Sequence, residues 1–435
     1  MNISIVSLFP ELYQPFLATS LVRRAQEKNL ISVNVTSLFS YVEPKERIDA
    51  PTFGHGAGML IRPDVVQKAI EDQERAHGKA YKIFFSPRGQ KLTQTTLQRI
   101  KEKSASCGHI MMLPARYEGM DARVEHMYAD EIISVGDFVL MGGDVPAMMV
   151  LEGFLRLLPG IVGKEESVAH DSFNGPFVDY PEYTQPIVWQ GMEVPEVIRS
   201  GNHEALRQWR LKQAVNASVY EHYQWVRSHT VTAEQKKLIA TTIPFHYCAL
   251  MHGDVLIGPH ERKVGTTSVT SVDLHDIARS SATYGLKNYF VVTPLLDQQK
   301  IVNTLLNFWQ KGIGIDYNPV RHEAVNAVRV SSTIDEVIAA IEHKEGKKPL
   351  LIATSARETK HPNHITYYDQ QIVWAHKRPV LFVFGTGQGL TPELIARCDY
   401  IVPPVEGFSS FNHLSVRSAV GIILDRWLGI NVVPS

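Results

Sequence analysis

Two stretches of the chain repeat one pattern, in which a short apolar run is followed by a longer amphipathic segment. In residues 1–162 the apolar runs are ISIVSLF, KIFFSP, HIMMLPAR and EIISVG, and several end in Gly or Pro. Such runs are typical of buried parallel strands, and the segments between them have helical periodicity. The alternation predicts an α/β fold, in which helices cover a parallel sheet.

The pattern returns after a helix-rich interval. Residues from about 187 to 243 predict helices, with Asn202 as an N-cap and Thr232 with Gln235 as a capping box. Pro244 ends this interval, and FHYCALMHGDVLIG, NYFVVTP, PLLIATSA, PVLFVFG and DYIVPPV then predict a second set of strands. The 435 residues exceed one compact core and predict roughly two to four domains.

Composition narrows the class of protein. A hydrophobic content of 44%, a charged content of 20% and a net charge of −1 fit a soluble globular protein with no overall nucleic-acid signature. Cys107, Cys248 and Cys398 are widely spaced, which argues against disulfides or a zinc site and favours a reducing cytoplasm. MNISIVSLFPELY lacks a signal-peptide pattern, and no apolar run approaches the ~20 residues that span a bilayer. We therefore expect a cytoplasmic protein with no membrane partner.

Three Gly- or Pro-bearing loops follow strands of the first block. They are SPRG (86–89), LPARYEGMD (113–121) and SVGDFVLMGGD (134–144). Ligands bind at the carboxyl ends of strands in α/β sheets, and glycines let them approach the main chain closely. Any one of these loops could be an ordinary connection between elements, whereas the three together favour a ligand-binding site.

These loops carry a family resemblance. LFPELY, GHGAGMLIRPD, FFSPRGQKL, ARYEGMDARV, ISVGDFVLMGGDVPAMMV, LRLLPGIVG, DSFNG, DYPEYTQP and GNHEALRQWR occur in the order and spacing of the bacterial tRNA (guanine-N1)-methyltransferases. The resemblance runs from residue 1 to about 243. It implies a SPOUT-class domain with a deep trefoil knot, which is a known exception to the rarity of knots. It also implies that S-adenosylmethionine methylates guanosine 37 of tRNA, that magnesium assists, and that a homodimer places Asp171 of one subunit near the cofactor of the other.

The resemblance also assigns the cofactor contacts. Ala115 stands where the family usually has glycine, Arg88 where it has glutamine and Phe138 where it has tyrosine, and none of these changes removes a catalytic group. The implied contacts are Phe85, Ser86, Pro87, Ala115, Tyr117, Gly119, Ser134, Val135, Gly136, Asp137, Phe138, Val139, Leu140, Gly142, Gly143 and Pro146.

The chemistry of N1 methylation asks for two charged groups. Guanine N1 carries a proton that a carboxylate base must remove, and a cation near O6 stabilises the resulting negative charge. The resemblance assigns Asp171 as the base, Arg156 as the O6 partner and Glu118 as a contact to the guanine edge. Each also has a structural interpretation: Asp171 as a helix N-cap, Arg156 as a surface residue, and Glu118 as an ion-pair partner of Arg116 or Arg123.

The segment HDSFNGPFVDYPEYTQP (170–186) has the composition of a linker but contains the implied base. Asp179 and Tyr183 stay open between substrate contact and anchoring of the helical segment. Gln185 stands where the family usually has arginine. In the helices that follow, Lys and Arg side chains together with His203, Trp209 and Arg210 are candidates to hold tRNA phosphate and sugar, although Trp209 could equally pack in the core.

Residues 379–429 carry a second constellation: a strand, a GTGQGL turn, a strand ending in IVPPVEG, and a helix. A dinucleotide-binding interpretation is weak, because the spacing is GxGxGL and no acidic residue follows about 20 residues on. The order resembles the last knot motifs of SPOUT RNA methyltransferases, and residues 247–435 resemble a bacterial SPOUT family of unassigned substrate. The implied cofactor contacts are Thr354, Phe384, Gly385, Gly387, Gly389, Ile401, Val402, Pro403, His413 and Leu414.

The acceptor of this second site is not evident. Arg262, Arg357, Asn412 and His413 are polar candidates that could also be structural. The HPNH motif (361–364) is more typical of a polar loop than of a metal site. We predict no protein metal ligands from the sequence.

Together the sequence predicts two trefoil-knotted SPOUT domains flanking a small all-helical domain. The boundaries are 1–162 for the first knotted domain, 163–186 for the linker with the catalytic aspartate, 187–244 for the tRNA-binding helices and 247–435 for the second knotted domain. Two alternatives stay open. The C-terminal half could be a non-catalytic RNA-binding or dimerisation module, and, more distantly, the chain could be a dinucleotide oxidoreductase.

Overall fold

The computed structural model describes residues 1–162, 171–258, 263–311 and 314–432. The chain divides into two compact units, Met1–Asn174 and Gly175–Ser435. Each contains a parallel sheet with helices, so the α/β prediction is confirmed. None of the helices within the described ranges is long and apolar enough to cross a membrane.

The first unit is built on a five-stranded parallel sheet of order β2-β1-β6-β5-β7. Its described strands are β1 (Asn2–Ser7), β2 (Ser32–Ser37), β3 (Asp49–Pro51), β4 (Met59–Ile61), β5 (Tyr81–Lys91), β6 (His109–Leu113) and β7 (Glu131–Ser134). Its described helices are α1 (Tyr13–Leu17), α2 (Ser20–Glu27), α3 (Pro63–His77), α4 (Gln94–Ala105), α5 (Ala122–Tyr128) and α6 (Asp144–Arg156), with 3-10 turns at Pro10–Leu12 and Leu38–Tyr41.

The four apolar runs of the first block form β1, β5, β6 and β7. Their inward residues, such as Ile5, Ile83 and Met112, are fully buried in one hydrophobic cluster. The edge strand β2 was not predicted, because SVNVTS is polar and mostly half-buried and so lacks the apolar signal of a central strand. The pairing of β5 with β7 shifts register between Phe85 and Gln90, where the first of the three loops leaves the sheet. The trefoil knot stays a prediction.

The second unit is built on a six-stranded parallel sheet of order β15-β14-β11-β17-β16-β18. Its described strands are β8 (Val188–Trp189), β9 (Met192–Glu193), β10 (Thr230–Val231), β11 (His246–Met251), β12 (Val255–Ile257), β13 (Lys263–Gly265), β14 (Asn288–Val292), β15 (Val328–Ser331), β16 (Leu350–Ala353), β17 (Val380–Gly385), β18 (Tyr400–Ile401) and β19 (Asn431–Val432).

The first helices of this unit precede its six-stranded sheet along the chain. The described ones are α7 (Glu196–Arg199), α8 (His203–Glu221), α9 (Tyr223–Ser228), α10 (Ala233–Thr242), α11 (Ser271–Thr283), α12 (Leu296–Gln310), α13 (Gly314–Tyr317), α14 (Pro319–Asn326), α15 (Ile334–Glu345), α16 (Gln370–Trp374), α17 (Pro392–Ala396) and α18 (Val416–Leu428). The predicted caps are confirmed: Asn202 accepts from the amide of Ala205, and Thr232 with Gln235 forms a capping box.

The helical segment shares a core with the six-stranded sheet. Val219, Tyr223 and Val226 lie in the same buried cluster as Leu250 of β11, and strand β10 pairs with β19 near the end of the chain. Burial of these apolar faces stabilises both parts together. The structure therefore does not set the helical segment apart as a domain of its own, and the sequence-based boundaries stay predictions.

A buried histidine at the start of β11 forms hydrogen bonds through both ring nitrogens. His246 is 2% exposed, and its Nε2 accepts from the indole N–H groups of Trp374 and Trp427 at 3.2 and 3.1 Å. Its Nδ1 lies 2.7 Å from the carbonyl oxygen of Pro244, so this nitrogen carries the proton. Burial lowers the pKa of His246 to about 4, because a charged imidazole would lose its hydration.

Candidate functional site

A cavity of about 570 Å³ opens at the carboxyl ends of β5, β6 and β7. All but one of the implied cofactor residues of the first block line it. Those that line it are Phe85, Ser86, Pro87, Ala115, Tyr117, Gly119, Ser134, Val135, Gly136, Phe138, Val139, Leu140, Gly142, Gly143 and Pro146. The exception is Asp137, whose side chain is 88% exposed and pairs with Lys91 at 2.7 Å.

One glycine shows how closely two of these loops approach each other. A Cβ atom on Gly143 would lie 2.9 Å from both the amide nitrogen of Ala115 and the Cα of Pro114. The amide of Gly143 also donates to the carbonyl oxygen of Ala115 at 2.7 Å. Any side chain at this position would push the two walls of the cavity apart, which explains the glycine there.

A buried carboxylate ties the same walls together. Asp144 is 1% exposed and accepts from Ser7 Oγ at 2.5 Å, Tyr13 OH at 3.0 Å and Arg116 Nε at 2.7 Å. The pKa of Tyr13 is raised, first by burial and then by the Asp144 charge. Sequence reasoning missed this cluster. The sequence signal for this cluster was the acidic residue Asp144 directly after Gly142 and Gly143.

Glu118 lines the cavity and makes no ion pair with any described residue. The structural interpretation offered for it is wrong, because Arg116 pairs with Asp144 at 2.7 Å and Arg123 pairs with Asp121 at 2.7 Å. The carboxylate of Glu118 is therefore available to a ligand.

A second glutamate, Glu125, also lines this cavity, and the sequence analysis did not single it out. Arg88 Nη2 lies 2.8 Å from its Oε2. Burial raises the pKa of Glu125, and the Arg88 charge partly opposes that rise. Arg88, which departs from the family pattern, thus forms an ion pair with Glu125 in the cavity wall.

The structure brings Arg156 and Asp171 together, but neither lines the cavity. Arg156 donates to both carboxylate oxygens of Asp171, from Nε at 2.6 Å and from Nη2 at 2.7 Å. The Asp171 side chain is 19% exposed and that of Arg156 is 45% exposed, so a ligand can reach the pair. The implied base and its cation are therefore adjacent within one chain.

In the second unit, the residues before α7 contact helix α8. The rings of Tyr183 and Trp209 lie 6.3 Å apart, and the guanidinium of Arg210 lies 4.6 Å from the ring centre of Tyr180. Arg210 also lies 3.5 Å from Glu182. These contacts favour anchoring as the role of Tyr183. Of the suggested tRNA contacts, His203 is exposed to solvent.

A second cavity, of about 630 Å³, opens at the carboxyl ends of β11, β16 and β17. Several implied cofactor residues line it: Thr354, Phe384, Gly385, Gly387, Gly389, His413 and Leu414. The other three do not line it: Ile401 and Val402 are buried elsewhere, and the carbonyl oxygen of Pro403 accepts a hydrogen bond from Tyr367. Arg357 and Asn412 also line it, whereas Arg262 lies outside the described residues.

The second cavity contains polar residues that sequence reasoning missed. His252, Asp273 and Arg417 line it, together with Thr267 and Thr270. Thr270 and Asp273 have the spacing of a helix cap, so the sequence alone predicts a structural role.

The HPNH loop uses its first histidine structurally. The ring nitrogens of His361 lie 3.1 Å from the carbonyl oxygens of Asn363 and Cys398. No group of three or more His, Cys, Asp or Glu side chains in the described part of the chain is placed to hold a metal ion.

Both halves of the chain match known protein families. The family model described as tRNA (Guanine-1)-methyltransferase TrmD matches residues 1–227, and the one described as SAM-dependent RNA methyltransferase matches residues 246–429. Two proteins named tRNA (guanine-N(1)-)-methyltransferase, from Oleidesulfovibrio alaskensis and Nitratidesulfovibrio vulgaris, are each 36% identical, with 99% of both chains covered. The Bacillus subtilis protein of the same name is 36% identical over 55% of this chain and 98% of its own length. The chain therefore belongs to the tRNA (guanine-N1)-methyltransferase family, with a SAM-dependent RNA methyltransferase domain in its C-terminal half.

Proposed function

We propose that the first unit transfers the methyl group of S-adenosylmethionine to N1 of guanosine 37 in tRNA. Family membership makes the chain an S-adenosylmethionine-dependent tRNA (guanine-N1)-methyltransferase. The observation that carries the proposal is the convergence of three loops, separated along the chain, on one cavity that also contains the free carboxylate of Glu118.

The first cavity fits the cofactor. Its volume of about 570 Å³ lies within the usual range for small-molecule sites. The close approach of Gly143 to Ala115 keeps the walls narrow and brings main-chain groups to the surface of the cavity. When bound, S-adenosylmethionine supplies an electrophilic methyl group on a sulfonium, so the protein needs no covalent intermediate.

The remaining chemistry falls to charged side chains. We assign Asp171 to remove the proton from guanine N1 and Arg156 to face O6, where negative charge develops. Glu118 would contact the edge of the base. The bidentate contact between Arg156 and Asp171 supports this assignment, because it places the cation next to the proposed base.

We propose that the active form is a homodimer. Asp171 and Arg156 do not line the cavity of their own chain, and a second copy could supply them to it. Apolar side chains at the rim support this, since Val139 is 84% and Met141 is 90% exposed. Light scattering of the active enzyme should give the mass of two chains. A single-chain mass would contradict the dimer.

Magnesium belongs to the proposal only as an ion held mainly by water. The described residues contain no cluster of three ligands for it. Magnesium commonly keeps several waters and binds one or two carboxylates, and Glu118 could provide one of them. The ion would supply positive charge near the acceptor, and no step above depends on it.

The substrate assignment rests on the anticodon loop being single-stranded. A base there can leave its stack at low cost and be recognised by its edges. The helical segment α8–α10 would hold the tRNA backbone. The cytoplasmic location predicted from the sequence is part of the same proposal.

For the second unit, we propose that its cavity also binds S-adenosylmethionine and methylates another RNA site. The family match over residues 246–429 and the placement of Gly385, Gly387 and Gly389 in the cavity wall support this. The alternative is a non-catalytic RNA-binding or dimerisation module. Calorimetry that finds one S-adenosylmethionine per chain, bound more weakly when Gly143 is changed to alanine, would favour that alternative.

The central experiment combines the purified chain, S-adenosylmethionine and an unmodified tRNA transcript with guanosine at position 37. Mass spectrometry of nuclease digests should locate one methyl group at N1 of this guanosine. A matched transcript with adenosine at position 37 should stay unmodified. Methylation elsewhere in the first transcript, or equal methylation of both, would contradict the assignment. Competition for binding between S-adenosylhomocysteine and NAD tests the oxidoreductase alternative directly.

A further inference from the structure

Asp273 is the one carboxylate among the described residues that line the second cavity. It is 9% exposed and lies in the first turn of α11. Thr270 Oγ1 donates to its Oδ2 at 2.6 Å, and Arg417 Nη1 lies 3.5 Å from its Oδ1. Oδ2 thus accepts a short hydrogen bond, whereas Oδ1 has only a long contact and can accept a proton.

The other titratable side chains of this cavity are less suited to accept a proton. The side chain of His252 is 1% exposed, and its Nδ1 is held by Thr267 Oγ1 at 3.0 Å. Arg357 is a permanent cation that donates to Gln388 at 2.8 Å. His413 is exposed at the rim.

His252 nevertheless points to a ligand. Its Nε2 is buried and has no hydrogen-bond partner among the described residues. A buried nitrogen without a hydrogen-bond partner is unfavourable, and a bound polar group would satisfy it. The wall that carries Asp273 and Arg417 therefore also carries an unsatisfied polar atom.

We propose that the second cavity is a methyl-transfer site in which Asp273 is the catalytic base and Arg417 stabilises the negative charge of the acceptor. The acceptor class is an RNA group whose N–H or O–H must lose its proton before it can attack. This inference rests on the proposed binding of S-adenosylmethionine in the cavity.

Asp273 Oδ1 takes the proton of the acceptor, and the electron pair left on nitrogen or oxygen attacks the methyl carbon of the sulfonium. The carbon–sulfur bond breaks and its electron pair stays on sulfur, which yields neutral S-adenosylhomocysteine and the methylated RNA. The guanidinium of Arg417, which is 42% exposed, faces the charge that develops on the acceptor.

The same helix offers a matched control. Asp276 also pairs with Arg417, at 3.6 Å, but its side chain does not line the cavity. Asp273→Asn and Asp276→Asn therefore each remove one negative charge next to Arg417. Asparagine at 273 still accepts from Thr270 through its side-chain oxygen, so the start of α11 is preserved.

The test uses the full chain, S-adenosylmethionine and bulk RNA from cells lacking this enzyme. Mass spectrometry of the nucleosides reports 1-methylguanosine from the first site and any other new methylated nucleoside from the second. We expect Asp273→Asn to lower the second product about 100-fold or more, as for loss of a general base. Asp276→Asn should change it by less than about threefold, and 1-methylguanosine should stay constant in both.

Calorimetry separates this inference from the proposed function. Asp273→Asn should still bind two molecules of S-adenosylmethionine per chain. If the wild-type chain binds only one, the proposed second cofactor site fails. If it binds two, then either near-normal second product from Asp273→Asn, equal losses in the two variants, or no second product from the wild type overturns Asp273 as the base.

Discussion

The two cavities are built alike but hold their charged pairs in different places. Each lies where glycine loops follow parallel strands. Each also has a glycine at which a Cβ atom would clash with the main chain: with Ala115 at Gly143, and with the amide nitrogen of Leu390, at 2.7 Å, at Gly385. In the first unit the pair Arg156–Asp171 lies outside the cavity. In the second unit Asp273 and Arg417 are part of the wall.

This difference shows what the shared architecture does and does not provide. Strand ends and close backbone approach form a cavity in each unit. The proposed acceptor groups lie on different elements: in the first unit Arg156 ends α6 and Asp171 follows that helix, and in the second Asp273 lies on α11 and Arg417 on α18. On our proposals, the first site needs a second chain to be complete, whereas the second carries its base within one chain.

The largest expected effect comes from removing the proposed base of the first site. Asp171→Asn should lower the rate of 1-methylguanosine formation about 100- to 10,000-fold, because guanine N1 would keep its proton. The affinity for S-adenosylmethionine and the second methylated nucleoside should not change. Single-turnover kinetics with a tRNA transcript gives the rate, and Asp72→Asn, which changes an exposed ion pair with Arg75, is the control. Near-normal 1-methylguanosine from Asp171→Asn would remove the contrast between the sites.

Asp144→Asn should weaken the first unit alone. It takes the charge from a buried carboxylate and leaves Arg116 uncompensated, which costs about 3 kcal/mol in the free energy of unfolding. Because Arg116 belongs to a loop of the cavity, first-site affinity for S-adenosylmethionine should also fall. Denaturant unfolding and calorimetry measure the two effects. Asp137→Asn, which changes an exposed ion pair, should alter neither. Equal stability of the two variants would count against the role of Asp144.

Gly143→Ala and Gly385→Ala test whether the cavities bind independently. Each added Cβ meets main-chain atoms that cannot move without opening a loop, at a cost of about 1–3 kcal/mol. We therefore expect roughly 10- to 100-fold weaker S-adenosylmethionine binding at the changed cavity and wild-type binding at the other. Calorimetric titration resolves the two sites. A loss at both cavities from either change would show that they are coupled.

The smallest effect concerns acid stability of the second unit. The folded pKa of His246 is about 4, below the unfolded value near 6.5, so the unfolded chain binds the proton first. Its contribution is complete above pH 6.5 and is lost as the pH falls toward 4, by about 2 kcal/mol between pH 7 and pH 5. His246→Gln should flatten this part of the pH dependence of unfolding. An unchanged slope would contradict the burial argument.

Much of the fold follows from local sequence patterns. Apolar runs predicted the central strands because buried parallel strands need apolar residues on both faces. The edge strand β2 was missed because its polar residues carry no such signal, and the two-residue strand β10 was missed because it exists only through pairing with β19.

The residues that the resemblance implies as cofactor contacts of the first unit lie in contiguous motifs, and all of them except Asp137 line one cavity. The contacts across the sequence were not predictable. Ser7 and Asp144 are separated by 137 positions, and Asp273 and Arg417 by 144. Their motifs resemble ordinary caps and turns when seen alone.

The sequence by itself therefore determined the strand order along the chain, the glycine loops and the family. Tertiary structure decided which charges meet: Glu118 free in its cavity, Asp171 held by Arg156, and Asp273 facing Arg417. The physical reason is range. Hydrophobic periodicity and turn chemistry act over a few residues, whereas an ion pair in a cavity depends on two segments that only the packed sheet brings within hydrogen-bonding distance.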